Sequence, residues 1–119
     1  MTEAVAIAEA YIAVWNERSA PARQGKLASH WAGSAAYRDP QVRVEGLDAI
    51  DALISGVQER FPAFRFTLKP TASGYDDVIR LAWTLGPAGA EAPIEGSDVL
   101  VLADGKIKDV IGFLDKVPQ

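Results

Sequence analysis

The sequence predicts an α+β fold: three N-terminal helices packed in a strongly curved, mostly antiparallel sheet, the whole forming a cone with its mouth at one end. Two observations carry this expectation. Apolar residues recur every three or four positions as far as about residue 61, and from Phe64 onward every second position. Helices are therefore gathered first and strands last, which is an α+β pattern rather than a βαβ repeat. The second observation is the stretch 93–115, where residues 96–102 and 107–114 read as two strands joined by the turn Ala103-Asp104-Gly105-Lys106. With 119 residues the chain has enough material for one core, so a single domain over 1–119 is expected.

The first helix is expected over residues 2–18, with Val5, Ala8, Tyr11, Ile12 and Trp15 on one stripe. Ser19 then caps a second helix that carries Pro21 in its first turn, Leu27, His30 and Trp31 towards its end, and Gly33 as its stop. Residues 35–39 form a short strand, ended by Pro40, which also biases Asp39 to an extended conformation. A second extended piece, residues 42–46, leads to a third helix over residues 47–61, with Asp48 in its first turn, Ile50, Leu53, Ile54 and Val57 on its apolar stripe, and Pro62 closing it. In the strand that follows, Phe64, Phe66 and Leu68 alternate with Arg65, Thr67 and Lys69. Ser73-Gly74 makes a turn, and residues 78–85 form a strand with Ile79, Leu81, Trp83 and Leu85 on one face and Arg80, Ala82 and Thr84 on the other. In the last two strands both faces are apolar, Val99 and Val101 opposing Leu100 and Leu102, so something should cover the outer face; a second copy of the chain is the simplest cover.

Composition narrows the functional classes. Sixteen acidic against twelve basic residues give a formal charge of −4, which disfavours a nucleic-acid surface or an anionic membrane as partner. There is no cysteine and one histidine, so thiolate chemistry and multi-histidine metal sites are not expected. The start of the chain lacks the basic and long apolar segments of a signal peptide, and no 18-residue apolar run occurs. The expectation is a cytoplasmic protein that needs no metal or other cofactor.

One position breaks the pattern of an ordinary buried strand. Asp98 shares a strand face with Leu100 and Leu102, and a lone buried carboxylate must be paired, hydrogen-bonded or neutral. Tyr11 points inward by helical phase, and Asp39 sits at a strand end where a cleft could open. The bland alternatives are equally physical: strand aspartates satisfy backbone donors, helix tyrosines sit in cores, and Asp-Pro marks turns. His30 is read either as a solvated helix-end residue or as an accessory acid beside the cavity.

Taken in order, Tyr11-Ile12-Ala13-Val14-Trp15-Asn16, Tyr37-Arg38-Asp39-Pro40, Gly96-Ser97-Asp98, Asp104-Gly105-Lys106-Ile107 and Gly112-Phe113-Leu114-Asp115 resemble the nuclear transport factor 2-like superfamily, and specifically its SnoaL-like branch of polyketide-cyclase-related proteins. The resemblance spans residues 4–114. It implies the cone-shaped fold and, through the ketosteroid isomerases of the same superfamily, three roles: Asp39 as the carboxylate that moves a proton, and Tyr11 and Asp98 as hydrogen-bond donors to the substrate oxyanion. Walls from Trp15, Trp31, Phe64, Phe66, Leu81, Trp83, Leu100, Val110 and Leu114, with His30 nearby, would suit a small hydrophobic carbonyl compound.

Three functions follow as alternatives. The first is a cofactor-independent isomerase or polyketide-cyclase-like enzyme. Another is a non-catalytic, dimeric domain that binds a hydrophobic ligand. The third is an epoxide hydrolase resembling the limonene epoxide hydrolases, whose Asp-Arg-Asp set is met only superficially by Arg80 and Asp98. Gly112 stands where those enzymes place the second aspartate, and strand phase turns Arg80 away from the cavity.

Overall fold

The computed structural model describes residues 2–118. Its elements are α1 (Thr2–Asn16), α2 (Ala20–His30), β1 (Trp31–Arg38), β2 (Arg43–Glu45), α3 (Leu47–Arg60), β3 (Phe64–Leu68), β4 (Ser73–Tyr75), β5 (Val78–Pro87), β6 (Ile94–Ala103) and β7 (Lys106–Lys116). All seven strands join one sheet in the order β2-β1-β7-β6-β5-β3, with β4 paired to β5. β1 runs parallel to β7 and the other pairs are antiparallel, so the sheet is mixed. It curves around the helices without closing, the cone-shaped α+β fold expected from the residue periodicity.

Local differences from the sequence reading have local causes. α1 stops at Asn16 rather than at residue 18. The Asn16 side chain exchanges two hydrogen bonds with the backbone of Phe66, donating to its carbonyl at 2.8 Å and accepting from its amide at 2.8 Å, and so docks the helix end on β3. The buried face of α1 runs through Ala4, Ala8, Tyr11, Ile12 and Trp15, while Val5 is 43% exposed: the stripe is centred one residue away from Val5. α2 ends at His30, and Trp31 is already extended (φ −116, ψ 147). Trp31 opens β1 and buries its ring in a stack with Tyr11, centroids 5.8 Å apart, so tertiary packing outweighs the helix signal expected to run to Gly33. Ser73-Gly74, expected as a turn, belongs to the short strand β4.

The hairpin between β6 and β7 is built as its residues demand. Asp104 (φ 53) and Gly105 (φ 78) both occupy the left-handed region between the paired residues Ala103 and Lys106, which matches the twist of the two long strands. On the outer face Val99, Val101 and Ile111 are half-buried and Phe113 is 51% exposed. No helix among the described residues is long and apolar enough to cross a membrane.

A polar cluster stitches the helices together behind the apolar core. Arg23, 3% exposed, pairs with Asp51 and donates to the Glu17 carbonyl at 3.0 Å and to Gln58 Oε1 at 3.1 Å. Gln58 in turn donates to the carbonyls of Trp15 (3.0 Å) and Glu17 (2.8 Å), so α1, α2 and α3 meet at one guanidinium. Removing the carboxylate leaves a buried cation short of its charge partner. Asp51→Ala should lower the unfolding free energy by about 3 kcal/mol, read from urea denaturation, whereas an exposed ion pair such as Arg43–Glu45 should contribute less than about 1 kcal/mol when broken.

Candidate functional site

Sheet register builds the site. Asp98 on β6 pairs with Gly112 on β7, and Arg38 on β1 pairs with Ile111 on β7. The next residue of the chain, Asp39, therefore comes level with Gly112, and three adjacent strands carry Asp39, Gly112 and Asp98 in one row. A Cβ at Gly112 would lie 2.9 Å from Asp98 Oδ1 and 3.3 Å from Asp39 Cβ. The absence of a side chain at Gly112 leaves that space between the two acids open.

The two aspartates are held in different ways. Asp98 is 3% exposed and accepts a 2.5 Å hydrogen bond at Oδ2 from the Tyr11 hydroxyl. Burial pushes its carboxyl up to about 6; the Tyr11 hydroxyl and the Trp83 indole pull it part of the way back, and the charges of Asp39 and Asp115 push it up again. Asp39 instead sits in a turn of its own making. Its Oδ1 accepts from the amides of Gln41 (2.8 Å) and Val42 (3.1 Å), its Oδ2 from the Tyr37 hydroxyl (2.8 Å), and its own amide donates to the Val42 carbonyl (2.9 Å). Three donors occupy three of the about four lone-pair positions of the carboxylate, so Asp39 is fixed in place with room to accept one more hydrogen bond.

Burial first, and then the Asp98 charge, hold both phenols, Tyr11 and Tyr37, well above the ordinary tyrosine range, so each stays a neutral donor at neutral pH. Aromatic packing fixes them: Trp15 meets Tyr11 edge-on at 6.4 Å and Tyr37 at 5.6 Å. The indole nitrogens of Trp15 and Trp31 are buried with no hydrogen-bond partner among the described residues. Gly96, opposite Trp83 in register, leaves space for the indole to lie across β6: a Cβ there would fall 2.2 Å from the ring.

A cavity of about 440 Å³ opens over this row. Tyr11, Asp39, Asp98, Trp15, Phe66, Trp83 and Leu114, all singled out from the sequence, line it. Other candidates fall elsewhere. His30 is exposed at the end of α2; Trp31, Leu81, Leu100 and Val110 are buried core residues; Phe64 stacks on Phe61 at 5.2 Å outside the lining. The buried strand residues among these follow from phase, and phase says only that a side chain points inward, not whether a helix already fills the space it points into. Arg80 is exposed, while its neighbour Leu81 is the residue paired with Asp98.

The sequence reading missed Tyr37, together with Ile12, Leu53, Val57, Phe61, Leu85 and Ile94 on the walls and Gln41, Arg60, Val117 and Pro118 towards the opening. Tyr37 had a signal, since it lies two residues before Asp39 on an extended segment and so on the same face. The helix-face residues Leu53 and Val57 had the ordinary signal of a core stripe and nothing more.

The family model of the SnoaL-like domain matches residues 8–110. Among solved structures, a provisionally named isomerase of the SnoaL-like family from Agrobacterium tumefaciens is 35% identical, with a TM-score of 0.92 over 97% of this chain and 99% of its own. A provisionally named SnoaL-like polyketide cyclase from Jannaschia is 15% identical, with a TM-score of 0.75 over 96% of this chain and 86% of its own. For a provisionally named ketosteroid isomerase from Kribbella flavida the values are 16%, 0.73, 99% and 82%. The last two share the fold. No curated protein sequence matches the chain.

The titration of Asp98 has a defined consequence for stability. With a carboxyl raised from 3.8 to about 6, the folded chain holds this proton more tightly than the unfolded chain does. The contribution is complete below the lower value and is lost as pH rises through the higher one, about 3 kcal/mol in all. Between those limits the wild type should lose stability relative to Asp98→Asn as pH rises, measured as the difference between two urea-stability profiles. Tyr11→Phe removes a donor to the ionised form and should move the carboxyl titration of Asp98 above about 6, read by carbon-detected NMR.

Proposed function

The chain belongs to the SnoaL-like domain family, and from that premise we propose that it is a cofactor-independent acid–base enzyme, an isomerase or polyketide-cyclase-like catalyst acting on a hydrophobic carbonyl compound. One observation carries the reading: a buried phenol–carboxyl pair, Tyr11–Asp98, faces a fixed carboxylate, Asp39, across the gap at Gly112 inside a single apolar cavity.

In this reading Asp39 takes a proton from the carbon next to the substrate carbonyl, using the lone pair that its three donors leave free. The electron pair of the broken C–H bond moves onto the carbonyl oxygen as an enolate. That oxygen is held by Asp98 in its protonated form and by Tyr11, in a site where apolar walls from Trp15, Phe66 and Trp83 keep water away and strengthen each donor. Return of the proton from Asp39 to another carbon completes an isomerisation; attack of the enolate carbon on a second carbonyl of the same molecule, followed by protonation of the new alkoxide, completes an aldol cyclisation. The Tyr11 hydroxyl has one proton: it donates to Asp98 Oδ2 in the structure and turns to the substrate oxygen in the reaction, where the proton of Asp98 on Oδ1, beside Gly112, is the second donor. Neither Arg80, which is exposed, nor Gly112 supports an epoxide-opening set.

Deuterium incorporation at the α-carbon of 2-tetralone in D₂O, followed by NMR, tests the reaction class without knowledge of the natural substrate. Wild type should accelerate exchange, with an efficiency that falls as pH rises through about 6, where Asp98 loses its proton. Asp39→Asn should lower the rate by about 10² or more while leaving the affinity for 2-naphthol, an enolate mimic, within about twofold. Binding of 2-naphthol without any acceleration of exchange by the wild type would leave the second reading, a non-catalytic ligand-binding domain.

The apolar outer face carries a proposal about assembly: Val99, Val101, Ile111 and Phe113 are proposed to be covered by a second copy of the chain. Sedimentation equilibrium should give twice the chain mass of 12.7 kDa, and Phe113→Asp should return the monomer.

A further inference from the structure

We infer that the ligand of this cavity carries a carboxylate, which Arg60 binds at the mouth while the carbonyl oxygen lies at Tyr11 and Asp98. The inference rests on the enzyme reading above for the placement of the carbonyl, and on Arg60 itself for the acid group.

Arg60 is the last residue of α3 and the one cationic residue among those lining the cavity. It stands with the exposed residues Gln41, Val117 and Pro118, whereas Tyr11, Trp83 and Asp98 at the other end are buried, so the cavity has an acidic floor and a basic rim. Among the described residues no carboxylate lies within ion-pairing distance of its guanidinium. Other cations of the molecule that face a carboxylate use it: Arg23 binds Asp51, and Lys69 binds Glu95 at 2.7 Å.

The guanidinium is also held for the purpose. Its carbon lies over the Phe61 ring, 5.5 Å from the centroid, a cation–π placement that uses none of its N–H donors, which can make a two-pronged bond to a planar anion. Phe61 is itself braced by the parallel ring of Phe64, and the backbone of that turn is clamped by Arg18, which donates to the carbonyls of Gln58 (3.2 Å) and Phe64 (2.8 Å). Arg60 is exposed at the rim, and the ring beneath its guanidinium is itself braced. A chain of formal charge −4 repels anions in general, and the Asp39 carboxylate repels them from the floor in particular. A ligand with one acid group and one carbonyl can bind in only one direction, acid outward and carbonyl inward. One guanidinium balances a single charge, which favours a carboxylate over a doubly charged phosphate ester.

Isothermal titration calorimetry with two probes separates the claims: 2-naphthol, which offers only the phenol oxygen, and 6-hydroxy-2-naphthoate, which adds a carboxylate at the opposite end. Wild type should bind the acid about tenfold tighter than the naphthol at low ionic strength, and 0.5 M NaCl should remove most of that difference. Arg60→Gln should abolish the preference and leave the naphthol affinity unchanged; Arg60→Lys should restore part of it. Tyr11→Phe should weaken both probes by the same factor. Equal binding of the two probes by the wild type, or an equal loss of both in Arg60→Gln, overturns the carboxylate assignment and leaves the enzyme reading standing. Failure of both probes to bind the wild type overturns the two together.

Discussion

The hydrogen bond from Tyr11 to Asp98 is the contact on which the rest of the structure depends. It joins the middle of α1 to the middle of β6, residues 87 positions apart in the chain, and it is the means by which a carboxyl group remains on the concave face of the sheet at all. Without that donor the group would give up its hydration for the Trp83 indole alone, a cost of several kcal/mol set against the small net stability of a domain. With the donor in place, α1 is fixed in rotation: Trp15, one turn further on, is aimed between Tyr37 and Phe66, and the aromatic wall of the cavity follows. The helix that fills the cone also decides where the cone remains empty.

Two aspartates in one row show how the same side chain acquires different chemistry from its surroundings. Asp39 lies at the end of β1, where Pro40 breaks the strand and frees the amides of Gln41 and Val42 to serve one carboxylate oxygen. Asp98 lies inside β6, where every nearby amide belongs to the strand ladder and only side chains can serve it. One is served by two backbone amides and the Tyr37 phenol, the other by the Tyr11 phenol within an apolar wall, where burial pushes the carboxyl up to about 6.

Much of this was legible in the residues. The change of apolar period at Phe64, the Asp104-Gly105 turn and the inward phases of Tyr11 and Asp98 indicate the fold and two polar lining residues, because each is a local rule acting on a long element, whereas Asp39 stands at a strand end where phase gives no direction. What failed was anything that depended on two elements competing for one volume. Trp31 reads as the end of a helix until its ring is seen stacked on Tyr11, and Leu81, Leu100 and Val110 point inward but beneath other side chains rather than into open space. Tyr37 was visible as the alternation partner of Asp39, yet its importance lies in the hydroxyl contact, which no pattern encodes.

Glycine completes the argument, since the cavity is as much a consequence of atoms that are absent as of those present. At Gly112 a Cβ would press on Asp98 Oδ1 and crowd Asp39, and at Gly96 it would enter the Trp83 ring. Both positions lie on long central strands, where glycine lowers stability because it brings extra unfolded-state freedom and no packing. Neither has positive φ, so no turn geometry requires glycine there. The remaining physical reason is space: one gap lets two carboxyl groups face the same small volume, and the other lets an indole lie flat beside them. A sheet tuned only for stability would fill both, and in filling them would separate the acids that the register had brought into line.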